Sequence, residues 1–168
     1  MSDVIKYGLA GIGYLLLQVL LFNQLVLFQV ATPFVFLLFL FTLPLDLSKT
    51  VLYLLAFGMG LLVDVLSESS ATGLHAFACV LAVGARGFVL HAITSSNVRS
   101  GSDISIRNQN TIWLSSLLLP LIFIHHLTYF YLEALSVQHF FYTLLKVVSS
   151  TCYTFAIAIL GAYLFYKR

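Results

Sequence analysis

A chain of 168 residues that is 61% hydrophobic and 8% charged, with a mean hydropathy of +1.03, has too little polar surface to coat a water-soluble globule. The same imbalance excludes disorder, which needs low hydrophobicity. Eight Lys and Arg against six Asp and Glu leave a net charge of +2 with the basic residues scattered, so no nucleic-acid footprint is present either. The composition is that of an integral membrane protein whose function sits in the membrane or in its loops.

Apolar runs at about 7–27, 31–45, 50–66, 73–93, 111–132 and 139–166 predict six transmembrane helices in a single all-α membrane domain. The first run begins after Lys6, lacks a small-residue cleavage site and reads as a retained helix rather than a signal peptide. The second is short for a hydrocarbon core of roughly 30 Å and has Pro33 and Pro44 at its margins, which predicts a thin or partly re-entrant helix. Five spans are the alternative count.

With the N-terminus cytoplasmic, Lys6, Lys49, Arg99, Arg107, Lys167 and Arg168 all fall inside, and the outer loops 23–30, 67–72 and 133–138 carry no Lys or Arg. That bias fits six spans with both termini inside. Tyr7, Tyr53, Trp113, Tyr163 and Tyr166 then lie near the inner boundary, and Tyr129 and Tyr131 near the outer one. The longest polar loop, 94–110, is inside, where Arg99 and Arg107 are candidate contacts to anionic lipid or a cytoplasmic partner. Its simpler reading is a solvated connection.

Ala56, Gly60 and Asp64 recur every four residues on the third span, and Ala78, Ala82 and Arg86 do the same on the fourth. Small residues at this spacing let helices approach closely in lipid, so Ala56, Gly60, Ala78 and Ala82 are expected to form a packing seam. A hairpin folding near Ser69 and Ser70 brings Asp64 and His75 to one depth, as a buried hydrogen-bonded pair. Arg86 lies too far from Asp64 to bridge it, and is expected to snorkel inward or to meet Asp46.

The same depth argument gathers His125, His126 and Lys146 in the outer third, with Glu68, Glu133 and His139 at the rim. Tyr142, Lys146, Ser149, Ser150 and Tyr153 form a polar stripe on the sixth span that is expected to face the bundle. A candidate outer cavity is therefore lined by His125, His126, Lys146 and Ser150. For Lys146 the equal alternative is snorkelling outward or pairing with a rim carboxylate.

Adjacent His125 and His126 diverge by about 100° on a helix and no HExxH accompanies them, so a metal site is not expected. Cys79 and Cys152 sit in apolar runs without a CxxC pattern and are expected to act as small hydrophobes. No GxSxG and no P-loop occur, and neither an enzyme nor a cofactor is expected.

From Gly58 to Phe77 the sequence GMGLLVDVLSESSATGLHAF resembles the core signature of MreD, a family of bacterial rod shape-determining membrane proteins. That signature is a G-L-x-x-D segment, a short loop and then G-L-x-A. Gly60, Leu61 and Asp64 match the first part; Gly73, Leu74, His75 and Ala76 match the second. The length, the six predicted spans and the inside termini are similar as well.

The resemblance implies a non-enzymatic scaffold subunit of the cell-elongation complex in the bacterial inner membrane. Such a subunit binds the single-span protein MreC and links MreB filaments to the glycan polymerase RodA and its class B penicillin-binding protein, and so to peptidoglycan synthesis and cell shape. The family is also distantly similar to the S components of energy-coupling-factor transporters, which implies a six-helix bundle of that kind. The rival function it implies is solute binding near the outer face.

Overall fold

The computed structural model describes residues 3–67, 71–94, 110–135 and 139–166. Its helices are α1 (Asp3–Leu20), α2 (Phe36–Phe41), α3 (Lys49–Leu66), α4 (Leu74–Ile93), α5 (Thr111–Ala134) and α6 (Phe140–Tyr166). No strand occurs among the described residues, and five helical segments are long and apolar enough to cross a membrane: Ile5–Gln24, Lys49–Leu66, Leu74–Ile93, Thr111–Ala134 and Phe140–Gly161. This is the build of a multi-pass membrane protein.

Local chemistry sets several of the helix ends. Ser48 accepts the Val51 N–H at 3.4 Å at the start of α3, and Asn110 accepts the Trp113 N–H at 2.8 Å at the start of α5. Helices α3, α4, α5 and α6 pack as consecutive antiparallel hairpins, whereas α1 packs mainly on α2 and α3.

The second apolar run is the exception to the predicted pattern. Instead of one helix over 31–45, it holds a six-residue helix, FLLFLF, with every residue buried. No helix forms at Thr32 and Pro33, since the proline ring removes an N–H and disfavours helix at the preceding residue. At its other end Thr42 closes the last turn on Leu38 and Pro44 follows.

Asn23 Nδ2 donates to Ser67 Oγ at 2.8 Å, which ties the far ends of α1 and α3 together. Since α1 and α3 finish at the same end of the bundle, the chain from 25 to 48 must return along it to reach Lys49. It runs inside the bundle, with the Phe39 ring against Gly11 of α1 and Phe34 beside α4, α5 and α6. Below, the end where α1, α3 and α5 finish is called the far end.

Candidate functional site

Two buried devices meet near the far end of the bundle. The first joins α3 to α4. Gly73, with φ at +105°, turns the chain into α4 and leaves its first N–H groups pointing at α3. The Asp64 carboxylate receives them: Oδ2 accepts from Gly73 N at 3.0 Å and from Ala76 N at 3.2 Å, and Oδ1 accepts from His75 N at 3.1 Å. A carboxylate on a helix N-terminus meets both the unpaired donors and the positive end of the helix dipole.

One turn earlier, Gly60 touches the same stretch of backbone. A Cβ at position 60 would stand 2.5 Å from Ala76 Cα and 2.7 Å from the His75 carbonyl carbon. Any side chain there must drive α3 and α4 apart. Ala56, Ala78 and Ala82 are buried in the same core.

Asp64 and His75 are thus bonded, but through the His75 backbone N–H and not through its ring. The imidazole stacks on Tyr129 with centroids 4.0 Å apart, and its Nδ1 finds no partner among the described residues. Leu61, in the motif but half-buried, joins neither device.

The second device holds the irregular backbone between Thr32 and Phe36. Gln18 of α1 spends its whole amide there: Nε2 donates to the Pro33 carbonyl at 3.0 Å and to Asn23 Oδ1 at 2.9 Å, while Oε1 accepts from Val35 N at 2.7 Å and Phe36 N at 3.4 Å. From α6, Ser150 Oγ accepts the Thr32 N–H at 2.9 Å and Thr154 Oγ1 accepts the Phe34 N–H at 3.0 Å. At the other end of α2 the Arg86 guanidinium donates to the Leu43 carbonyl. Non-helical backbone at membrane depth persists only where protein groups satisfy it in this way.

Histidines line the space between the two devices, around the Phe34 ring. That ring meets His75 edge-on at 4.6 Å, stacks on His126 at 4.9 Å, and lies 5.6 Å from His125 and 5.2 Å from Tyr129. His126 Nδ1 lies 2.8 Å from the Ile122 carbonyl, which only accepts, so this nitrogen carries the proton. Its Nε2 then accepts from Thr154 Oγ1 at 3.2 Å, completing a relay from the Phe34 N–H through Thr154 to His126. His125 is fully buried and neither of its ring nitrogens is partnered among the described residues.

The expected outer cavity is filled at these positions. His125, His126 and Ser150 have no exposed surface, because Phe34 of the returning segment occupies the space between α4, α5 and α6. Lys146 stands apart: its Nζ lies 3.4 Å from Glu133 Oε2 and 5.1 Å from the centre of the Phe130 ring, at a site about a quarter exposed. It pairs with a rim carboxylate. Of the expected stripe on α6 only Ser150 is buried; Tyr142 is exposed, and the Ser149 hydroxyl turns back onto the Leu145 carbonyl.

The buried face of α6 is instead Thr143, Val147, Ser150, Thr151, Thr154 and Ala158, at spacings of three and four. Arg86 is buried and bound to the Leu43 carbonyl, with no ion pair to the exposed Asp46 and no snorkelling to the surface. Cys79 is buried, whereas Cys152 is exposed. No group of three or more His, Cys, Asp or Glu with metal-binding geometry occurs among the described residues. Arg99 and Arg107 lie outside the described residues, as does Glu68.

Sequence reasoning missed Gln18 and Thr154. The available signal was their rarity, since Gln18 is the one amide in the apolar run from Tyr7 to Phe22. Compared with known proteins, the chain matches no protein family, no curated protein and no solved structure.

Proposed function

We propose that the protein is a non-enzymatic scaffold subunit of the MreD kind, which binds a single-span partner resembling MreC. Through it the subunit links MreB filaments to RodA and a class B penicillin-binding protein. The observation that carries the reading is the convergence of Gly60, Asp64, Gly73 and Ala76, the positions matching the family signature, on one lock between α3 and α4. Polar groups at these positions are spent on internal hydrogen bonds, which suits a rigid subunit that presents helix faces to partners better than one that performs chemistry.

In this reading the returning segment is a sixth, broken crossing, as in a bundle resembling an energy-coupling-factor S component. Both termini then lie in the cytoplasm of a bacterium, in keeping with the inner-side Lys and Arg. Affinity purification of the tagged chain in mild detergent, with mass spectrometry of what accompanies it, tests the proposal. A single-span protein with a periplasmic coiled coil supports it; an ATPase with a coupling membrane subunit overturns it.

A second reading, a solute-binding S-component-like subunit, is favoured by His125, whose two buried ring nitrogens find no partner among the described residues, beside His75, whose Nδ1 finds none there either. A polar solute entering between α4 and α5 would supply them. A stoichiometric small molecule in the purified protein is its test.

A further inference from the structure

Among the described residues three non-glycine positions have left-handed backbone: Phe28 (φ 52°), Gln29 (φ 57°) and Leu135 (φ 40°). All three lie at the far end. Phe28 and Gln29 follow the end of α1, which Asn23 ties to Ser67 at the end of α3. Leu135 closes α5, whose last turns stack against the first turn of α4 through Tyr129 and His75.

Phe28 and Gln29 are the central residues of a tight turn, closed by Val30 N to Leu27 O at 3.0 Å and flanked by an antiparallel bridge between Leu27 and Ala31. Turns with two left-handed central residues strongly favour Gly, Asn and Asp, and a phenylalanine there is strained. The strain presents an apolar ring to the outside. Phe28 is 94% exposed and Leu135 86%, the two highest values among the large apolar side chains of the described residues; Phe141, at the start of α6, follows at 83%.

We propose that these two turns are interfacial anchors, which set Phe28 and Leu135 into the acyl-chain boundary of the leaflet at the far end. Two observations favour lipid as the occupant. Both turns cap membrane-length segments, so they stand where hydrocarbon gives way to headgroups. The first lies in a stretch with no charged residue from Tyr7 to Leu45, which offers a charged protein surface no partner for an ion pair.

The inference is independent of the scaffold reading and needs only that the protein sits in a membrane. Its test is depth-resolved fluorescence quenching. The sole tryptophan, Trp113, is replaced by Phe, and Phe28→Trp or Leu135→Trp is introduced on that background. The protein is reconstituted in phosphatidylcholine vesicles whose acyl chains are brominated either near the headgroup or near the terminal methyl. The expected result is blue-shifted emission from both variants, lost for the most part to the shallow bromolipid and much less to the deep one. Gln29→Gly, which relieves the turn but keeps Phe28, is expected to raise the melting temperature in detergent. Water-like emission that iodide quenches and neither bromolipid touches would overturn the proposal. So would emission that shifts to the blue only when a second protein is added.

Discussion

The Asp64 carboxylate on α3 accepts the Ala76 N–H of α4 at 3.2 Å, and Gly60, one turn before it, leaves no space for a Cβ against the same alanine. Removing the acceptor leaves the buried N–H groups of His75 and Ala76 and the part-buried one of Gly73 unpaired. Asp64→Leu is expected to cost about 2–4 kcal/mol, on the order of hydrogen bonds to a charged group that are lost together. Asp64→Asn keeps one acceptor oxygen and is expected to fall between. Thermal unfolding in detergent ranks the three proteins; equal stability of Asp64→Leu and the parent would remove the capping role.

The approach at Gly60 can be tested without touching a polar group. Gly60→Leu must separate α3 from α4 at a backbone contact, and is expected to cost more than the roughly 1–3 kcal/mol of ordinary overpacking. Gly13→Leu, on α1 with nothing within 4 Å of its Cβ position, is expected to leave the melting temperature within a few degrees of the parent. If the two substitutions act alike, the seam is not what holds the hairpin.

The five long helices and the close approach of α3 to α4 at Gly60 were legible because each rests on a local pattern: a long apolar run, or small residues every four positions. The depth match of Asp64 and His75 followed from helix rise alone, yet the bonded atom is the backbone N–H, because the left-handed Gly73 turns the first donors of α4 toward α3. The α6 stripe was read one face off. The buried face of α6 carries threonines, which stand out little in an apolar run, and of these Thr154 bonds both the Phe34 N–H and His126. The filled cavity was not legible at all, since Phe34 reaches His126 across about ninety residues by a path that no periodicity encodes.

Gln18 makes the non-helical path tolerable. Replacing it by Leu preserves the apolar volume but strands the Pro33 carbonyl and the Val35 and Phe36 N–H groups together. The expected loss exceeds that of Ser150→Ala, which strands only the Thr32 N–H, and is about 3 kcal/mol or more if each stranded group costs about 1–3 kcal/mol. Gln18→Glu keeps the acceptors but loses the donor to Pro33, and is expected to lie between them. Proteolysis and unfolding of the three variants in detergent check the order.

Lys146 offers a contrast. Its pairing with Glu133 is about a quarter exposed at the rim, and surface ion pairs are worth about 0–1 kcal/mol. Lys146→Met is expected to change stability by less than that and to leave the far-end histidines undisturbed. A large loss would mean that Lys146 reaches the buried cluster, against the geometry at Glu133.

His126 carries a prediction about a single proton. The Ile122 carbonyl fixes the hydrogen on Nδ1 and leaves Nε2 to accept from Thr154, so nitrogen spectra of ring-labelled protein should show His126 as the neutral Nδ1–H tautomer. Thr154→Val keeps the shape, removes the donor to Nε2 and strands the Phe34 N–H. The expected outcome is a shifted Nε2 resonance with the Nδ1 proton still in place, and a stability loss of about 1–3 kcal/mol. A spectrum in which Nε2 holds the proton in the parent protein would reverse the direction of the hydrogen bond and break the relay from Phe34.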